Sequence, residues 1–108
     1  MQRRASPPSL DQLGKLLRPF CEKHPIRCLE VFGSTARGQN VPGSDVDLLV
    51  TLDSSKPVST ADLLEMAGEA EEVIGAPVDF VLRSAVEKSP NRFARERILA
   101  TAVRVYGI

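Results

Sequence analysis

Two aspartates, Asp45 and Asp47, open the run DVDLLVTL, and a third, Asp79, lies in VDFVL. Residues at i and i+2 of a strand project from the same face, so Asp45 and Asp47 aim their carboxylates at one place. Asp79 starts another apolar strand, and the three carboxylates are expected to converge at one edge of a sheet. Two such anions about 4 Å apart repel by about 4 kcal/mol at an effective dielectric of about 20, so the cluster calls for a cation. Oxygen ligands suit a hard divalent ion, Mg²⁺ above all. Upstream, Val31-Phe32-Gly33-Ser34 runs a strand into a turn where a glycine lets backbone N–H groups approach a ligand and the serine adds a hydroxyl donor. A short helix after that turn directs its N-terminal dipole to the same place, which favours phosphate. Metal-assisted phosphoryl or nucleotidyl transfer unites these parts: the turn holds a triphosphate, and the carboxylates hold metals that bridge it to an attacking hydroxyl.

The elements that must position these groups follow from periodicity. Leu10, Leu13, Leu16, Leu17 and Phe20 recur at a helical period behind Ser9 as N-cap, and Pro19 predicts a kink or an early end. Residues 28–32 (CLEVF) read as a strand stopped by Gly33, residues 34–38 as a short helical turn, and 39–44 as a loop of turn residues. Residues 45–52 form the clearest strand. Ser59 with Asp62 makes a capping box for a helix carrying Leu63, Leu64, Ala67, Ala70, Val73 and Ile74, which Gly75 and Pro77 end. Residues 78–82 are a third strand, and Ser89-Pro90 opens a last helix that turns Phe93, Ile98, Leu99, Ala102, Val103 and Tyr106 to the core. The order α-β-α-β-α-β-α implies an α/β fold, a small mixed sheet flanked by helices.

A chain of 108 residues with 43% hydrophobic content fits one domain over 1–108, with about 1–9 expected to be flexible. No stretch reaches the roughly 18 to 20 apolar residues of a membrane span, and MQRRASPPSL lacks the apolar segment of a secretory signal, so a cytoplasmic location is expected. Cys21 and Cys28 have no metal-ligand spacing and read as core residues, with His24 a solvated histidine at a helix end. Fourteen basic and fourteen acidic residues cancel, which removes the simplest argument for direct nucleic-acid binding. They are not evenly spread: six basic residues against two acidic lie in 1–28, two against ten in 29–82, and six against two in 83–108. The acidic middle holds the three aspartates. The arginines of the last helix, Arg92, Arg95 and Arg97, with Arg104, read mostly as a solvated face.

Gly33-Ser34-Thr35-Ala36-Arg37-Gly38, with ten residues between Ser34 and the following Asp45-Val46-Asp47, resembles the signature of the DNA-polymerase-β-like nucleotidyltransferase superfamily. The short chain resembles the minimal nucleotidyltransferase branch. The resemblance implies the polymerase-β-like fold, with Gly33 and Ser34 binding the β- and γ-phosphates of ATP or another nucleoside triphosphate. It implies Asp45 and Asp47 as paired ligands of Mg²⁺, with two ions expected. Asp79 becomes the third carboxylate, a metal ligand and general base, and Arg37 a contact to phosphate or a support for the loop. Family members of this size are commonly encoded beside a small helical HEPN partner and act as its antitoxin, some by transferring AMP to it. The expected activity is therefore transfer of an NMP to a hydroxyl of a protein partner. A partner or a second copy is expected to complete the pocket, since only one helix is foreseen after the third strand. The competing readings are nucleotidylation of an aminoglycoside-type small molecule and a non-catalytic antitoxin that works by binding.

Overall fold

A computed structural model of the chain describes residues 9–38 and 45–107. The flexibility expected before residue 9 and the loop expected at 39–44 lie outside the described residues. The elements are α1 (Leu10–Lys23), β1 (Ile26–Val31), α2 (Gly33–Ala36), β2 (Val46–Leu52), α3 (Thr60–Ile74), β3 (Val78–Leu82), α4 (Arg83–Glu87), α5 (Arg92–Thr101) and β4 (Val103–Gly107). They build a four-stranded sheet in the order β3-β2-β1-β4, flanked by helices. β1 pairs antiparallel with β2 and β4, while β2 pairs parallel with β3, so the sheet is mixed as expected. The parallel pair requires a crossover, and α3 supplies it.

Capping chemistry starts the two long helices. The Ser9 hydroxyl accepts from Gln12 N–H at 3.2 Å and the Gln12 side chain answers at 2.8 Å, while Ser59 and Asp62 make the same exchange at 3.1 and 3.0 Å. Gly75 closes α3 in the left-handed region at φ 77°. Helix α1 runs past Pro19 to Lys23 rather than ending there. Pro19 itself is exposed, and the burial of Phe20 and Cys21 just beyond it offsets the hydrogen bond that the ring removes.

One face of the sheet carries Leu29, Val31, Val46, Leu48 and Val50 against Leu13, Leu17 and Phe20 of α1 and Met66, Ala70 and Ile74 of α3. The other face is smaller: Phe32 and Leu49 pack with Val86 of α4 and with Ile98, Leu99 and Ala102 at the end of α5. Both faces of β2 are thus covered, and Leu49, on the same side as Asp47, is as buried as Leu48.

Four expectations change. The third strand is followed by two helices and a strand, because Val103–Gly107 pairs with the free edge of β1 instead of extending the last helix. Phe93 is 82% exposed and Leu64 70% exposed, and neither reaches the core. Met66 takes the buried place on α3. His24 is partly buried, with its ring 4.9 Å from that of Phe20 and Nε2 3.0 Å from Glu69 Oε1, rather than solvated. Cys21 and Cys28 are free core thiols as foreseen, and burial pushes Cys21 up to about 12, which leaves it unreactive at neutral pH.

Candidate active site

The site forms where β1 ends and β2 begins. Antiparallel pairing sets Val31 beside Leu48, and the Phe32 N–H donates to the Asp47 carbonyl at 3.1 Å, so the turn after β1 is fixed to the strand that carries Asp47. Gly33 then turns the chain at φ 60°, a conformation that glycine adopts without the steric penalty other residues meet. A side chain there would also be crowded, because a Cβ would lie 3.0 Å from Asp47 Oδ2.

Thr35, which the sequence reading passed over, locks Asp47 from below. The hydroxyl is buried, accepts the Asp47 N–H at 3.0 Å and donates to Asp47 Oδ2 at 3.3 Å. Backbone and carboxylate of one residue are thereby held by a single side chain. Partial burial pushes the Asp47 carboxyl up; the Thr35 hydrogen bonds oppose this, and the negative charges of Asp79 and Asp45 add to it.

Asp79 occupies the position beside Asp47 in the parallel register of β2 and β3, where adjacent strands lie about 4.8 Å apart, and it is exposed. Asp45 sits one residue before β2 and is also exposed. The expected convergence of three carboxylates is not realised as a compact cluster: among the described residues no three His, Cys, Asp or Glu side chains are grouped closely enough to hold a metal ion. The donor set nonetheless fits Mg²⁺, which takes one or two carboxylates together with waters and substrate phosphates rather than an all-protein cage.

Ser34, Arg37 and Asp47 line a cleft of about 690 Å³ with Phe32 and Gly33 on one side and α5 on the other. Asp45 and Asp79 do not line it. The far wall is Ala94, Arg97, Ile98, Ala100 and Thr101, so Arg97, exposed as expected, also borders the cleft that holds Ser34 and Arg37. Thr35 stands inside the quoted motif but its role shows only where β2 meets the turn, and Arg97 owes its place to the meeting of elements distant in the chain.

The arrangement offers an oxygen-donor site for a divalent cation beside a glycine turn and two guanidinium groups, a combination suited to a triphosphate. Comparison with known proteins agrees. A candidate protein adenylyltransferase of Methanocaldococcus jannaschii is 31% identical over 97 residues, 90% of this chain and 98% of that protein. A solved structure described as a candidate minimal nucleotidyltransferase is 28% identical, with a TM-score of 0.65 over 89% of this chain and 95% of its own. A toxin–antitoxin crystal structure with AMP-PNP shares the fold at a TM-score of 0.68 and 14% identity, over 88% of this chain and 73% of that one. The small mixed sheet flanked by helices is the polymerase-β-like nucleotidyltransferase fold. The family profile of the nucleotidyltransferase domain matches residues 13–103, and the chain belongs to that family of enzymes.

Proposed function

We propose that the chain is a Mg²⁺-dependent nucleotidyltransferase that moves AMP from ATP to a hydroxyl of a protein partner, and that the partner is a small helical HEPN-type toxin for which it is the antitoxin. The observation that carries the chemistry is Asp47, held by Thr35 beneath the open corner at Gly33 and facing a cleft with Ser34 and Arg37. The protein acceptor is supported by the relative described as a candidate protein adenylyltransferase, and the nucleotide and toxin by the neighbour that pairs a toxin–antitoxin complex with AMP-PNP.

In this reading Gly33 shapes the turn, and Ser34 and Arg37 bind the β- and γ-phosphates. Asp45 and Asp47, with Asp79, hold the Mg²⁺, which when bound neutralises the triphosphate and favours attack at phosphorus. The acceptor hydroxyl oxygen forms a bond to the α-phosphorus, its proton passes to Asp79, and the bond from that phosphorus to the bridging oxygen breaks. Pyrophosphate leaves with the electron pair. Arg37 and Arg97, as positive walls of the cleft, stabilise the charge carried away by the leaving group.

The test is incubation with α-labelled ATP, Mg²⁺ and the product of the neighbouring gene, with Asp45→Asn and Asp47→Asn as controls. Label transferred to the partner and lost in both variants is the expected result. Neutralisation of the partner that survives both substitutions overturns it in favour of a binding module. Label passing to a hydroxylated amine without any protein acceptor overturns the protein target alone.

A further inference from the structure

We infer that Thr101, the last residue of α5, is a positioning residue for the phosphate-binding turn, so that the C-terminal helix sets the geometry of the nucleotide site. The inference rests on the reading of the Gly33–Ser34 turn as the triphosphate site. Antiparallel pairing of β1 with β4 places Val31 beside Val103. Continuing the two chains past the sheet, two residues after Val31 and two before Val103, brings Gly33 opposite Thr101. There the Gly33 N–H donates to Thr101 Oγ1 at 3.1 Å, across 68 positions of sequence.

The hydroxyl has one proton and two lone pairs, and its proton is already committed within α5. It donates to the Arg97 carbonyl at 2.9 Å, with the Ile98 carbonyl at 3.3 Å. This back-bonding fixes the threonine rotamer, so the lone pair that meets Gly33 points in a set direction. The Gly33 peptide plane in turn fixes how closely the corner approaches Asp47 Oδ2, for which the margin is 3.0 Å to an added Cβ. With its N–H engaged by Thr101, Gly33 contributes the open corner rather than a donor to phosphate, and Ser34 and Arg37 in the same cleft are left to touch the ligand. A valine, with the same shape and no acceptor, releases the Gly33 N–H and lets the corner rotate; a serine keeps the acceptor.

The experiment uses the full chain with Mg²⁺ and ATP. Calorimetric titration of Thr101→Val is expected to show Kd for ATP weakened about tenfold, and Thr101→Ser to stay within about twofold of the unaltered chain. Hydrogen exchange is expected to show the Gly33 amide protected in the unaltered chain and in Thr101→Ser, and unprotected in Thr101→Val. Unchanged ATP affinity in a folded Thr101→Val overturns the inference. So does a freely exchanging Gly33 amide in the unaltered chain, a measurement that needs no variant and stands even if the valine form does not fold. An unaltered chain that binds no nucleoside triphosphate overturns the triphosphate reading instead, while the Gly33 exchange still reports on the Thr101 contact itself.

Discussion

Gly33 and Asp47 approach so closely that a side chain at Gly33 would crowd the carboxylate. Gly33→Ala places a Cβ 3.0 Å from Asp47 Oδ2 and holds an L-residue at φ 60°. The backbone alone costs about 1–2 kcal/mol, to be read from urea unfolding. AMP transfer is expected to fall about 100-fold, more than the stability loss explains, because the carboxylate must move from its working position. Asp47→Asn behaves in the opposite sense. Burial first, and then the charges of Asp79 and Asp45, raise the folded-state carboxyl above its ordinary value, so the ionised form is penalised on folding. That penalty is absent below the ordinary carboxylate range and appears as pH rises through it. Asp47→Asn is therefore expected to abolish transfer while raising Tm at about pH 7, and the gain is expected to vanish near pH 3. An equal Tm difference at both values contradicts the electrostatic account. The strand that carries Asp47 and the glycine turn beside it were readable from sequence because each is set by its own short stretch of residues. Thr35 was not, although it stands inside the motif: its role as a double partner of Asp47 appears only when β2 is laid beside the turn.

Between elements, the seam of α1 and α3 rests on Leu17, Phe20, Met66 and Ala70 and is fastened at one end by Glu69. Lys23 Nζ and His24 Nε2 reach Glu69 Oε1 at 3.1 and 3.0 Å. These partners, His24 first, hold the Glu69 carboxyl below its ordinary value. The contribution to stability is therefore present above the unfolded value and is lost as pH falls through the lower folded one. Glu69→Gln is expected to lower Tm slightly at about pH 7 and to match the unaltered chain in acid, as thermal scans across pH will show; a gap that persists in acid points to packing instead. Helix starts were legible from Ser9 and Ser59 because a cap is a local bargain among four residues. The end of the chain was not. Ile98, Leu99, Ala102, Val103 and Tyr106 satisfy a helical period, yet VRVYG also alternates with β-branched residues, and only the vacant edge of β1 decides between the two. Helix α4, five residues long, is too short to show a period at all.

Across the whole molecule the balance of fourteen basic and fourteen acidic residues conceals a division that the fold puts to use. The acidic middle supplies Asp45, Asp47 and Asp79 at the edge of β2 and β3, and the basic C-terminal part returns as α5, whose Arg97 faces Ser34 and Arg37 across the cleft. Asp47 and Arg37 on one wall and Arg97 on the other bring both signs of charge to one cleft, which under the proposed function suits Mg²⁺ and a triphosphate together better than a free cation or a free anion. Binding to the folded state alone raises stability by about 2.7 kcal/mol at a hundredfold excess over Kd. For a chain of this size that corresponds to a Tm increase of about 10 °C. The increase is expected with Mg²⁺ and ATP together, to be smaller with either alone, to be reversed by a chelator, and to disappear in Asp45→Asn combined with Asp47→Asn. A thermal scan with no response to Mg²⁺, with or without nucleotide, contradicts the site. A response to ATP that a chelator leaves intact contradicts the metal but not the phosphate turn, and so separates the two halves that the charge division brings together.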